Sequence, residues 1–376
     1  MNRKSISMRI VIVTLFIVSI LITVSVIGYT VFSNWKASAD NIITKMENDT
    51  NREILNRIKT FINIPIHINE VNHSLIENKI VDIYDKSKHE IFFVGVIKKH
   101  NEEVYSFSYG TENGEYYGAR RNEKNEIEIM KNNVETNGNS WYYSITKDFT
   151  AGELAVKAGK FDPRTRDWYK IAKEKQRPIF SPAYKHFVMD DLTISAAYPI
   201  YNKEGILQGV LGTHIILSKI NSFLEEITKD KSAVAYIVEE SSGELIANSL
   251  NIPNFKTLAD NKVERITIKE IDNKSITDAY LNYKKNSNSN FTVKTKKDRL
   301  HINLTNYKEE GLDWLVITAI PESQFTVEIV KSIHISIVLS IIALIISIII
   351  YMKSTEIILK PIYNLIRTTE KFSKGD

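Results

Sequence analysis

The chain reads as an α+β protein: a long N-terminal helix, then two antiparallel-sheet modules in tandem, flanked by two membrane-crossing helices. Three observations carry this. Apolar runs at Ile10–Tyr29 and Ile333–Tyr351 each have roughly the 20 residues needed to cross a bilayer, and neither holds Lys, Arg, Asp or Glu. A helical period runs without a break, apart from Pro65, from Trp35 to about Leu75. Between that stretch and the second apolar run, short alternating strands and turns are interrupted by one or two helices, and this order of elements occurs twice.

Arg3, Lys4 and Arg9 precede the first span, residues 10–31. Lys353, Lys360 and Arg367 follow the second, residues 333–352. Positive charge at span ends marks the cytoplasmic side. Residues 1–9 and 353–376 are therefore expected in the cytoplasm, and residues 32–332 outside it, extracellular or periplasmic. The chain is thus a multi-pass protein of the cell membrane. A cleaved signal peptide is the other reading of the first run, but the run is long for an h-region and lacks a clear small-x-small cleavage site.

In the outer region, residues 35–78 form a stalk helix, with Ile43, Met46, Ile54, Ile58, Phe61 and Ile62 near the 3.6-residue period. Such helices often pair, which suggests a homodimer. A first module, residues 79–228, follows. Ile91–Ile97 is apolar enough for a central strand, Glu103–Tyr109 alternates, Gly110–Gly114 is a turn, and Glu115–Ala119 and Trp141–Thr146 are strands. A helix is expected over Arg166–Lys175. Strands Leu192–Ile200 and Gly209–Ile216 are joined by a turn at Asn202–Gly205, and Leu217–Ile227 is an amphipathic helix. In the second module, residues 229–330, strands are expected at Ala233–Val238, Glu244–Asn248, Phe291–Lys294, Leu300–Thr305 and Trp314–Ile320, with turns at Glu240–Gly243 and Glu309–Gly311.

Composition narrows the function. Cysteine is absent, which excludes disulfides, thiolate metal sites and thiol nucleophiles. The net charge of +4 is dispersed, with no basic block interleaved with aromatics, so no nucleic acid is expected. The eight His show no metal-ligand spacing. No phosphate-binding loop, nucleophile elbow or zincin motif occurs, so no metal, cofactor or catalytic residue is expected and the chain is not read as an enzyme.

Residues 161–217 are the most informative outer stretch. Asp162-Pro163 opens a turn, and Asp162 or Thr165 can cap a helix starting near Arg166. Arg166 and Trp168 then fall in the first helical turn, where unpaired N–H groups and the helix dipole favour an anion. A guanidinium there can grip a carboxylate through two parallel bonds. Trp168 and Tyr184 can wall the apolar part of a small molecule. The alternative is that Arg166 and Trp168 form a cation–π and capping cluster that locks helix to sheet.

This stretch resembles the extracellular double Cache sensor domain of bacterial transmembrane receptors, whose two modules are PAS-like. The residues that carry the likeness are Asp162-Pro163-Arg164-Thr165-Arg166-Asp167-Trp168-Tyr169, Ser181-Pro182-Ala183-Tyr184, Ala197-Tyr198-Pro199-Ile200-Tyr201, and Gly205 with Gly209-Val210-Leu211-Gly212. In the amino-acid-binding branch of that family an Arg and a Trp hold the ligand carboxylate, a later Tyr helps, and an Asp receives the ammonium. Arg166, Trp168 and Tyr184 fall on the first three positions. His214 stands where the Asp is expected, and the aromatic preceding the Arg segment is Phe161, without a hydroxyl. The resemblance therefore implies a ligand with a carboxylate and no α-amine; an uncharged ligand, or none, is the alternative. Asp190 and Asp191, on a hairpin tip, can supply charge if the tip folds over the pocket.

Beyond the second span, Ile362, Leu365, Thr369 and Phe372 are spaced 3, 4 and 3 apart, a heptad seam. Lys360-Pro361-Ile362 through Gly375-Asp376 resembles the first helix of a HAMP signal-relay domain, which the sequence enters without completing. The expectation is a signal-transduction receptor of the chemotaxis, histidine-kinase or diguanylate-cyclase type that senses a small molecule, a carboxylate or an amino acid. The alternative is an outer interaction module that recruits a protein.

Overall fold

The computed structural model describes residues 8–100, 102–258, 263–296 and 298–373. Glu47–Pro321 form one compact unit; the residues before and after it form the other.

Helix α1 spans Met8–Glu77 and passes through Pro65. Within the larger unit its buried stripe is Ile54, Ile58, Phe61, Ile62 and Ile68, the helical spacing read from the sequence. Helix α2, Lys86–Lys99, replaces the central strand expected at Ile91–Ile97. A short continuous apolar run cannot separate a strand from a buried helix. Two local signals favour the helix. Asp85 caps it, accepting from Ser87 N at 3.1 Å, and Lys98 and Lys99 lie in its last turn. His89, Phe93, Val94 and Ile97 are buried while Ile91 and Gly95 are exposed, the pattern of one helix face.

The first sheet contains β1 (Ser106–Thr111), β2 (Tyr116–Arg121), β3 (Ile127–Asn132), β4 (Asn139–Ile145) and β5 (Ala151–Lys160). A 3-10 turn, Pro163–Thr165, leads into α3 (Asp167–Lys175), then β6 (Ile179–Phe180), β7 (Tyr184–Lys185), β8 (Leu192–Tyr201) and β9 (Leu207–Ile216). The antiparallel strands run in the order β5-β4-β3-β2-β1-β9-β8-β6, with β7 beside β8. Strands β3 and β5 were not expected. The β8–β9 turn is as read: Asn202 Oδ1 accepts from Glu204 N and Ile206 N, and Gly205 takes φ +76°.

Successive side chains in these strands point to opposite faces. Phe107, Tyr117, Ala119, Ile129 and Leu211 pack with α2 and with Ile68 of α1. Tyr116, Met130, Tyr142, Ala197 and Val210 pack with Trp168, Tyr169 and Ala172 of α3. The candidate site lies on this α3 face.

Helix α4 (Ser218–Lys229) leads to the second sheet: β10 (Val234–Glu239), β11 (Leu245–Asn248), β12 (Phe255–Thr257), β13 (Val263–Arg265), α5 (Lys274–Asn286), β14 (Asn290–Lys294), β15 (Arg299–Glu309) and β16 (Leu312–Pro321). The order is β11-β10-β16-β15-β14, with β12 and β13 paired separately. Helix α5 was not expected, although Ile276, Ala279 and Tyr280 mark its buried face and Asn273 caps it. The β15–β16 turn carries Gly311 at φ +89°. Phe180 N donates to Glu310 O at 2.9 Å, so this hairpin binds β6 of the first sheet.

Helix α6, Ser323–Ser373, follows β16 and passes through Pro361. Among the described residues, two helices are long and apolar enough to cross a membrane, over Ile10–Glu77 and Ile333–Thr369. Within the smaller unit Phe16 stacks on Tyr351 at 3.6 Å. Arg3, Lys4, Gly375 and Asp376, used above for topology and for the tail resemblance, lie outside the described residues.

Candidate ligand site

The approach to α3 is built by its own side chains. Asp162 caps the 3-10 turn, accepting from Arg164 N at 2.9 Å, and pairs with the Arg164 guanidinium at 2.8 Å. These bonds hold its carboxyl below the usual range. Thr165 does not cap α3; its hydroxyl donates to Asp162 O at 2.7 Å. The β1–β2 turn clamps the segment from the other side. Tyr169 OH donates to Glu112 Oε1 at 2.7 Å, Lys173 Nζ bonds Glu112 Oε2 at 2.7 Å, and Arg164 Nη1 donates to Glu112 O at 3.1 Å.

Because the 3-10 turn comes first, Arg166 is the N-cap of α3 rather than a first-turn residue. Its backbone is extended, at φ −87° and ψ 146°, and its side chain makes no capping bond. The guanidinium carbon lies 4.5 Å from the Phe161 ring and 4.7 Å from the Phe187 ring. Its Nε is buried and has no hydrogen-bond partner among the described residues.

Behind Arg166 lies a polar chain on one sheet face. Register sets Ser106 and Ser195 on either side of His214, and Ser108 opposite Gly212. Ser195 Oγ is 2.6 Å from His214 Nδ1 and 2.7 Å from Tyr184 OH, and Ser108 Oγ is 2.8 Å from His214 Nε2. Gly212 makes room for the ring: a Cβ there would meet His214 Nε2 at 2.8 Å. Burial pushes the imidazole pKa down to about 3, so His214 is neutral. One assignment satisfies every group. Tyr184 donates to Ser195, Ser195 to Nδ1, Nε2–H to Ser108, and Ser108 to Gly212 O at 3.3 Å.

Arg166, Trp168, Tyr184, His214 and Phe161 line one cavity of about 30 Å³. That is room for about one water. Trp168 is core as well as wall, 1% exposed and edge-on to His214 at 5.3 Å. Asp190 and Asp191 do not join them. Asp190 is exposed and pairs with Lys185 at 2.5 Å, and Asp191 accepts from Leu192 N at 2.6 Å and bonds Ser218 at the start of α4. The hairpin tip does fold over the pocket, but through His186 and Phe187. His186 Nδ1 accepts from Val188 N and Met189 N at 3.1 and 2.9 Å, which leaves the ring proton on Nε2, and burial depresses its pKa well below the ordinary value.

Tyr105, Tyr116, Met130 and Tyr142 complete the wall and were not singled out from the sequence. The odd-even pattern of β2 and β3 places Tyr116 and Met130 on the α3 face. Tyr105 and Tyr142 are backed by Arg120, whose guanidinium donates to Tyr105 OH at 3.1 Å, lies 3.6 Å from the Tyr142 ring and pairs with Glu128 at 2.7 Å in the interior. Among the described residues, no carboxylate lines the cavity.

Comparison with known proteins bears on this module. Residues 98–222 match the family model described as methyl-accepting chemotaxis protein-like, first PDC sensor domain. That region, a third of the chain, is similar to the sensor domains of chemoreceptors. The match ends well before the tail that resembles HAMP. The methyl-accepting chemotaxis protein McpC of Bacillus subtilis (strain 168) is 24% identical over 156 residues, 40% of this chain and 24% of that protein. The match thus spans about a quarter of that relative. The ligand-binding domain of the Campylobacter jejuni chemoreceptor Tlp3, in complex with L-valine, superposes with a TM-score of 0.50 at 16% identity, covering 77% of this chain and 97% of that one. That of the Pseudomonas fluorescens chemoreceptor CtaA, in complex with L-alanine, gives a TM-score of 0.46 at 15% identity, covering 74% and 96%. The likeness to Tlp3, at this identity, is one of fold.

Proposed function

We propose that the chain is a membrane-spanning sensory receptor whose outer domain binds a small carboxylate at Arg166 and relays occupancy through α6 to a HAMP-type tail. One observation carries the ligand class: a guanidinium set between two aromatic rings, with a buried Nε that no described group satisfies. A buried donor left unpaired is costly, and a carboxylate accepting two parallel bonds removes that cost. The solved relatives named above are complexes with amino acids. Here the wall supplies no carboxylate for an ammonium, and the neutral His214 has both nitrogens engaged. The best ligand is therefore a carboxylate without an α-amine.

Entry requires Phe187 and the hairpin tip to move, because the cavity is far smaller than a metabolite. Binding that displaces the tip favours one conformation over another, which is what a ligand-driven signal needs. The small cavity is also the observation in favour of the alternative, an outer module that recruits a protein. A thermal-shift screen of the full chain in detergent separates them. A carboxylate at 100 times its Kd should raise the melting temperature by roughly 5–10 °C. Arg166→Ala should abolish the shift. An α-amino acid should bind no more tightly than its deaminated analogue. No shift from any carboxylate, with both proteins folded, moves the assignment to the protein partner.

A further inference from the structure

A larger cavity lies at the β6–β8 edge of the first sheet, where the two modules meet. It measures about 200 Å³ and is walled by α1, β6, β8 and the tip of the β15–β16 hairpin. Its inner surface is apolar, with Ile66 of α1, Ile179 and Phe180 of β6, and Ala196 of β8. An apolar cavity of roughly 150 Å³ suffices to bind benzene, so this one admits a ring with a short arm. The lining amide is already engaged: Asn69 donates to Ala196 O at 2.7 Å and accepts from Thr213 Oγ1 at 2.7 Å. The charged groups at the cavity are three carboxylates, Glu70, Glu309 and Glu310. Glu310 is paired with Arg177 at 2.9 Å. Glu70 and Glu309 form no ion pair among the described residues.

We propose that this cavity is a second small-molecule site, selective for an organic ammonium carried on a compact apolar body. Burial of the body follows from the apolar walls, and the charge preference from two carboxylates with no cation of their own. A neutral isostere keeps the first term and loses the second, and an anion is repelled. The occupant would touch α1, the first sheet and the hairpin together. That hairpin's second strand, β16, runs directly into α6. This places the site beside the join between the modules, and it shares no lining residue with the Arg166 cavity.

Isothermal titration of the full chain in lipid nanodiscs with phenethylamine tests the proposal, with 2-phenylethanol and 3-phenylpropionate as the neutral and anionic isosteres. The expected result is saturable binding of one amine per chain, about tenfold tighter than the alcohol, and no binding of the acid. The pair Glu70→Gln and Glu309→Gln, the first exposed and the second half-buried, should weaken the amine to the level of the alcohol. Ile66→Trp should fill the space and remove binding, and Arg166→Ala should leave amine binding unchanged. The proposal is overturned if the amine does not bind saturably, if the alcohol or the acid matches it, or if the Gln pair has no effect. Loss of amine binding in Arg166→Ala also overturns it, by moving the amine to the other cavity. None of these outcomes depends on whether a carboxylate binds at Arg166.

Discussion

His214 shows how one side chain sets the chemistry of a pocket. The imidazole is held between Ser195 and Ser108, with Tyr184 at the outer end of the chain. Such a ring satisfies its neighbours while neutral; charging it would convert the Nδ1 acceptor into a donor facing a hydroxyl that already donates to it. Its folded-state pKa is about 3, against 6.5 for an unperturbed histidine. Between those values the unfolded chain takes up a proton that the folded chain refuses. Stability is therefore full above about pH 6.5 and falls as the pH drops, by about 1.4 kcal/mol per unit from this residue. His186, buried and depressed as well, acts in the same direction. The melting temperature should fall from pH 7.5 to 5.5, and His214→Gln, which keeps a donor toward Ser108, should flatten part of that fall. Equal slopes in the two proteins would remove His214 from the account. At this scale the sequence showed Arg166, Trp168, Tyr184, His214 and Phe161 as a set, and they do share a cavity. It could not show that Asp190 turns outward to Lys185 while Phe187 turns inward, because adjacent residues of an irregular tip have no fixed period.

Elements were legible where two signals agreed and were misread where one stood alone. Strand β16 combines an apolar run with Pro321 at its end, and the β8–β9 hairpin combines two largely apolar runs with an Asn-to-Gly turn. Helix α2 presents a bare apolar run, and its only helix signals are the Asp85 cap and the basic last turn. Strand β5 is mostly exposed and lacks the apolar alternation that would announce it. Glycines add what periodicity cannot. Gly205 and Gly311 both sit in hairpin turns with positive φ, yet no atom lies within 4 Å of a Cβ built on Gly205, whereas one on Gly311 falls against Phe180 O. Gly205→Ala should cost about 1 kcal/mol, the left-handed backbone penalty alone. Gly311→Ala must also displace β6 from the hairpin and strain the bond from Phe180 N to Glu310 O, a further 1–3 kcal/mol or so. Melting of the two variants, with hydrogen exchange read at the Phe180 amide, distinguishes these costs. Equal losses and an unchanged Phe180 amide would mean that the hairpin does not tie the modules together.

At the scale of the whole molecule, the chain joins a folded outer unit to two apolar helices by uninterrupted helix at each end: α1 runs from Met8 to Glu77, and α6 starts two residues after β16. On the proposed receptor reading, a displacement of β16 would pass into the helix that begins two residues later. The reading requires both ends on one side of the membrane, and the absence of cysteine makes this directly measurable. Any single introduced thiol is the sole site for a maleimide. Ser242, exposed in the turn between β10 and β11, reports the outer unit; Ser354, exposed in α6, and Ser5 report the two ends. Ser242→Cys should react with a membrane-impermeant maleimide in intact cells. Ser354→Cys and Ser5→Cys should react only after permeabilisation, since Arg3, Lys4 and Arg9 before the first span and Lys353, Lys360 and Arg367 after the second retain both ends inside. Labelling of Ser5→Cys alone from outside would mean that the first apolar run does not cross. Labelling of both ends, with Ser242→Cys protected, would invert the topology, place Arg166 in the cytoplasm and exclude an external ligand.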